Sequence, residues 1–193
     1  MRTTGATTQT IIIWTAGNYS VTITNNFGCS TIKNFAATVY PLPRFDTVLV
    51  ENDQITIVPL NVGDFEYSID GLFFQNSPIF SNAPGGLQTA SVREINGCGI
   101  KTEDFVVLLA PTFFTPNNDG HNDFWTVKGI FAYPNAELRI FDRYGKLLKE
   151  LRPNSLGWDG NFNGQELPAS DYWFVFKMDA TAPEKRGHFT LKR

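Results

Sequence analysis

The sequence predicts an all-β protein of short strands, assembled as β-sandwiches in tandem, and three observations carry that expectation. Phe, Gly and Pro number 17, 16 and 11 while only 18% of residues are charged, so strand-forming aromatics and turn formers outweigh helix-favouring charge. Two segments alternate with the period that buries one face of a strand: Tyr19, Val21 and Ile23 against Ser20, Thr22 and Thr24, and Tyr172, Phe174, Phe176 and Met178 against their neighbours. The chain also repeats itself. Gly17, Tyr19, Val21, Ile23 and Cys29 are matched by Gly86, Gln88, Ala90, Val92 and Cys98, an offset of 69 residues at each position (98 − 29). Self-similarity at a fixed spacing marks tandem modules.

Taken in order, residues 9–14 are a continuous β-branched run ending in Trp14, which predicts a buried strand. Ala16, Gly17 and Asn18 make a turn, residues 19–24 a strand, residues 25–29 a second turn, and residues 31–40 a further strand closed by Pro41 and Pro43. Gly17, Asn18 and Tyr19 resemble the tyrosine corner of immunoglobulin-like domains, where a Tyr hydroxyl anchors a strand crossover. In the second copy, residues 45–50, 54–58 and 65–69 read as strands, with Asp70 and Gly71 as a hairpin turn. Residues 100–109 form a long strand that runs straight into Ala110 and Pro111 without a Gly/Ser-rich linker, which predicts a stiff boundary.

The densest turn signal lies at residues 111–125. Pro116, Asn117, Asn118, Asp119, Gly120, Asn122 and Asp123 favour positive φ and side chain-to-backbone hydrogen bonds. Phe113 and Phe114 before them and Phe124 and Trp125 after them are expected to pin this polar loop through buried rings. Beyond it, residues 137–151 read as a hairpin turning at Asp142, Arg143, Tyr144 and Gly145, with Gly145 suited to positive φ. Gly157, Trp158, Asp159 and Gly160 form a loop, residues 172–178 a strand, and residues 187–193 the closing strand with Phe189.

These features occur in the order of a known family. The Asn/Asp/Gly loop, the turn at residues 141–145, Trp158-Asp159-Gly160, the strand opening at Tyr172 and Trp173, and the Gly187/Phe189 ending resemble the type B C-terminal sorting domain of the type IX secretion system, also called the gliding motility-associated C-terminal domain. Two positions depart from its pattern: Asn118 and Ser170 stand where the family has Gly. The segment from Phe65 to Gly71, with the Asn96, Gly97, Cys98 ending, resembles the surface-adhesin repeats that precede such domains, although Gln88 stands where Tyr is usual. The resemblance implies three units: residues 1–42 a truncated immunoglobulin-like repeat, 43–110 a second, and 111–193 the sorting domain. It implies a C-terminal signal read by the outer-membrane translocation machinery and its shuttle proteins, and a protein that is secreted or held on the cell surface after crossing the periplasm. It also implies a longer parent, an adhesin-like protein whose repeats could meet a surface glycan or protein ligand. Asn117, Asn118, Asp119, Gly120, Asn122 and Asp123 are the candidate recognition loop. Phe113, Trp125, Tyr144, Gly145, Trp158, Asp159, Gly160, Tyr172, Trp173 and Phe189 are the motif and core residues.

Other functions fit less well. Residues 1–110 hold 5 Lys/Arg against 9 Asp/Glu, and residues 111–193 hold 11 against 10, so neither part has the basic excess of a nucleic-acid binder. No apolar run has the length of a membrane span, and no signal peptide opens the chain. No phosphate loop, Gly-x-Ser-x-Gly motif or metal-spaced His pair is present, which argues against an enzyme and leaves no cofactor to expect. Two readings of Asn117, Asp119 and Asp123 stay open: a loop held by its own Asx hydrogen bonds, or a calcium loop with His121 as a poor ligand and no closing Glu. Cys29 and Cys98 form either a disulfide or two free thiols. A glycan-binding module is the rival function, and burial of Trp158 and Trp173 discriminates: solvent-facing rings suit sugar stacking, buried rings suit a core.

Overall fold

The computed structural model describes residues 5–51 and 54–193. Residues 1–4, at the start of the expected first repeat, and residues 52 and 53, within the expected second, lie outside the described residues. The chain is all-β. Among the described residues the single helical feature is one 3-10 turn, Ile130–Ala132.

Strands β1 (Gly17–Thr24) and β2 (Ser30–Ala37) pair antiparallel along their whole length and form a two-stranded sheet. Asn25 closes the turn between them: its Oδ1 accepts the N–H groups of Phe27 and Cys29 at 2.9 and 3.0 Å. The run at residues 9–14 is a correction to the sequence reading. It forms no strand, and Ile12 and Trp14 are 75% and 85% exposed. β-branched residues favour strands because they pack on a pleated, half-buried surface. Among the described residues β1–β2 is the only ladder here, and Gly5, Ala6, Thr8, Gln9 and Ile11 lie beside Tyr19, Val21 and Phe35.

The next body is a sandwich of two three-stranded sheets. One contains β3 (Phe45–Glu51), β4 (Gln54–Pro59) and β6 (Ile79–Phe80). The other contains β5 (Phe65–Ser68), β7 (Gly86–Glu94) and β8 (Ile100–Val107). Their inner faces meet in a core where Phe45 and Ile57 of the first sheet pack with Phe65, Tyr67, Ala90 and Val92 of the second. The 69-residue offset is visible here, because β1 and β2 correspond to β7 and β8. The second turn is one residue longer, since Thr24 pairs with Ser30 whereas Arg93 pairs with Ile100.

The C-terminal body holds β9 (Phe113–Phe114), β10 (Glu137–Phe141), β11 (Leu147–Leu151), β12 (Asn161–Phe162), β13 (Gln165–Glu166), β14 (Ser170–Lys177) and β15 (Lys185–Leu191). Five of these form one sheet in the order β11-β10-β14-β15-β9, antiparallel except for the β15–β9 pair. Its inner face carries Leu138, Ile140, Tyr172, Phe174, Phe176, Phe189 and Leu191. Trp125, Val127, Ile130 and Trp158 cover that face from irregular segments and complete the core.

The two sandwiches join without a linker. Leu109 and Lys128 exchange both backbone hydrogen bonds, at 3.2 and 2.8 Å. Next to them Gly129 has φ +83, and a Cβ there would sit 2.6 Å from the Val107 carbonyl oxygen. Only glycine fits this close approach at positive φ.

Candidate functional site

The polar loop of the C-terminal sandwich is built by its carboxylates and amides. Asn118 and Asn122 take positive φ of 62 and 54, and Gly120 one of 87. The Asp123 carboxylate bridges the turn, accepting the N–H of Asn118 on Oδ1 and that of Gly120 on Oδ2. Asp119 accepts the Asn117 side-chain amide and the His121 N–H, both at 2.8 Å. The Asn117 amide and the His121 N–H hold the Asp119 carboxyl below the ordinary carboxylate range. Thr115 N–H donates to the Asn122 carbonyl and ties the loop's two ends. Among the described residues no group of three or more His, Cys, Asp and Glu is arranged to hold a metal.

One ring of each flanking aromatic pair anchors this loop. Phe114 and Trp125 are fully buried, whereas Phe113 and Phe124 are exposed. Consecutive residues of extended chain face opposite sides, so a pair cannot bury both members against one core. The same alternation exposes Trp173 between the buried Tyr172 and Phe174. Tyr144 sits at the tip of the β10–β11 turn and is 87% exposed. Phe113 and Phe124, expected as buried rings, therefore lie on the surface, as do the motif residues Tyr144 and Trp173.

Trp158 and Trp125 form the centre of the core. They exchange backbone hydrogen bonds at 2.9 Å in both directions. Each buried indole finds an acceptor, Trp125 Nε1 at the Pro111 carbonyl and Trp158 Nε1 at the Asn161 carbonyl, both at 2.8 Å. Phe189 stacks on Trp125 with centroids 3.7 Å apart, and Tyr172 meets Trp158 edge-on at 5.0 Å. Asp159 caps the following turn by accepting from the Asn161 backbone and side chain. Burial works to raise its carboxyl, but these hydrogen bonds outweigh it and the net shift is downward. Gly160 has φ +81 and leaves no room for a Cβ, which would lie 2.6 Å from Leu191. Gly145 completes the β10–β11 turn at φ +81, and the Asp142 side chain accepts the N–H groups of Tyr144 and Lys146 there.

The two tyrosine corners have the same geometry. Tyr19 donates its hydroxyl to the Thr15 carbonyl and Tyr172 to the Pro168 carbonyl, each four residues upstream and each at 2.8 Å. Burial pushes the Tyr172 phenol upward. Sequence reasoning did not anticipate the part played by Arg193. Its guanidinium donates to the Leu167 carbonyl at 3.0 Å and pairs with Glu166, linking the chain's last residue to the β12–β13 hairpin. A terminal arginine carries no sequence signal for such a contact. Cys29 and Cys98 are both free and exposed.

The arrangement is a polar turn loop set on a buried aromatic core. Of the two rings that separate a sugar platform from a core, Trp158 is fully buried and Trp173 is 40% exposed. No curated protein matches the chain. Among solved structures it is similar to the FN1–FN3 domains of chicken CNTN1, at 13% identity over 91% of this chain and 78% of that one, with a TM-score of 0.24. At that score the likeness adds nothing to the sheet topology above. Residues 108–191 match the model of the family described as CHU_C, the type IX secretion signal domain.

Proposed function

We propose that the C-terminal sandwich acts as a folded sorting signal, read by the outer-membrane translocation machinery and its shuttle proteins through shape rather than through a short linear run. The family match makes this region a type IX secretion signal and its protein one exported to the cell surface or the medium. The single observation that favours folded recognition is the Trp125–Trp158–Phe189 cluster. It draws residues from the polar loop, the Trp158-Asp159-Gly160 turn and the closing strand into one core. Four of the five motifs, all but the turn at residues 141–145, thus meet in the folded chain.

In this proposal residues 1–42 are a truncated immunoglobulin-like repeat, 43–110 a second adhesin-type repeat, and 111–193 the sorting unit. The role is that of a signal rather than a catalyst, and the parent protein is an adhesin whose ligands meet its repeats. A glycan-binding role for the sorting unit keeps Trp173 and loses Trp158, which is enclosed.

The test fuses residues 111–193, or residues 184–193 alone, to a periplasmic reporter in a host with this secretion system. Surface reporter is expected from the whole unit only. Trp158→Ala should abolish export, because deleting a buried Trp costs about 3–5 kcal/mol. Export driven by the ten-residue tail would defeat the folded-signal reading.

A further inference from the structure

Strand β15 is paired along its full length on one side only. β14 runs beside it from Ser170↔Leu191 to Phe176↔Lys185, whereas β9 reaches only Thr190 and Leu191 on the other side. The N–H groups of Thr190 and Lys192 point to that second side, where they bond the carbonyls of Thr112 and Phe114. Backbone groups two residues apart in a strand point the same way. The N–H and C=O groups of His188 and Arg186 therefore face the same side, and no described residue bonds them there. Two donors and two acceptors at alternate positions are what an added strand needs.

Edge strands are blunted by charged side chains, proline, bulges or a covering element, and this one carries the exposed Lys185 and Arg186. Here the cross-strand neighbour of His188 is the exposed Trp173, and a row of Leu147, Phe141, Trp173 and His188 crosses four strands on the solvent face. Residues 184–193 contain Lys185, Arg186, His188, Lys192 and Arg193 against the one acid Glu184. Glu184 is engaged by Lys177 and Arg186, and Arg193 by Glu166, which leaves Lys185 and Lys192 without an acidic partner among the described residues. This charge balance selects an acidic occupant.

We propose that the open edge of β15 docks an extended acidic segment of a protein of the export machinery, added as a further strand of the sheet with its outward side chains beside His188, so that the row running from Leu147 through Phe141 and Trp173 extends onto it. The proposal rests on the sorting reading and specifies the surface that is read.

The test uses the full chain, fused behind a signal peptide and a reporter, in a host with the secretion system. His188→Pro removes the outward donor and no ladder bond to β14, because that N–H points away from β14. Wild type should reach the surface, and His188→Pro should cut surface reporter at least tenfold with an unchanged melting temperature. His188→Glu, which leaves the backbone intact, should lower export severalfold through charge. Should His188→Pro fail to fold, amide exchange of the wild-type chain decides: the Arg186 and His188 amides should gain protection on adding detergent-solubilised translocation machinery. Wild-type export by His188→Pro, or unprotected amides, overturns the edge proposal and leaves the sorting reading intact. Loss of export in Trp173→Ser alone, with His188→Pro unaffected, also overturns it, in favour of a partner or glycan on the sheet face. If the wild-type fusion is not exported, the sorting reading fails and the edge proposal falls with it.

Discussion

The hairpins β1–β2 and β7–β8 share a sequence pattern and have opposite fates. Val21 and Ile23 are 44% and 54% exposed, whereas their counterparts Ala90 and Val92 are completely buried. Both hairpins form full antiparallel ladders. Both close their turns in the same way, with the Asn25 side chain accepting the Cys29 N–H and Glu94, 69 residues on, accepting the Cys98 N–H. What separates them is a layer. β7 is flanked by β5 and covered by β3, β4 and β6, while β1 and β2 have no covering sheet among the described residues. The period of two specifies a ladder and its apolar face. Burial of that face, and the stability that comes with it, belongs to the partner sheet.

The comparison breaks most severely if the cover is damaged. Ile57 is completely buried on the covering sheet and packs in the same core as Val92. Ile57→Ala should cost the middle sandwich about 2–5 kcal/mol, read by denaturant unfolding. A loss as small as that of a surface change would mean that the two sheets are not one core.

A paired substitution then asks the question at matched positions. Val92→Ala should cost about 2 kcal/mol through two lost methyl-sized groups and the space they leave. Ile23→Ala, at the corresponding place in the bare hairpin, should stay within about 0.5 kcal/mol, as surface changes do. Equal losses would show that the first hairpin is covered in solution.

The same contrast explains what was legible in the sequence. Strands, turns and the repeat are local patterns, and the all-β fold followed from them. The Tyr19 and Tyr172 hydroxyl bonds were equally readable, because partner and donor lie four residues apart. Residues 9–14 misled because a β-branched run states a preference for a packed surface and not its presence. The candidate loop's polar residues were visible, but the division of each aromatic pair into one buried and one exposed ring needed the position of the core. The Gly129 contact with Val107 and the Arg193 contact with Leu167 join residues far apart in sequence, and no spacing announces them.

Tyrosine hydroxyls offer a finer measure. Tyr19→Phe and Tyr172→Phe each delete one hydrogen bond to a backbone carbonyl. Tyr172→Phe should cost roughly 0.5–1.5 kcal/mol, the net worth of such a bond. Tyr19 is as buried as Tyr172, 5% against 4%, and its hydroxyl also meets the Thr15 hydroxyl at 3.0 Å, so Tyr19→Phe should cost a similar amount. Denaturant unfolding reads both, and a negligible loss at either position would show that its corner bond adds nothing to stability.

The smallest expected effect concerns the turns themselves. In all three bodies a side-chain oxygen accepts backbone N–H groups across a tight turn: Asn25, Glu94, and Asp123 with Asp119. If the loop at residues 117–123 is held in this way alone, a chelator should leave its melting temperature unchanged. Acid should act only at low pH. The Asp119 carboxyl is lowered by the Asn117 amide and the His121 N–H. Its contribution is therefore complete above the unfolded value of about 3.9 and is lost as pH falls through the lower folded value. Melting between pH 5 and 8 should not respond to this group. A fall in melting temperature on chelation, restored by calcium, would mean that Asn117, Asp119 and Asp123 hold an ion, since a ligand that binds the folded state stabilises it by mass action. This loop would then differ in kind from the other two turns, and the parallel among the three would end there.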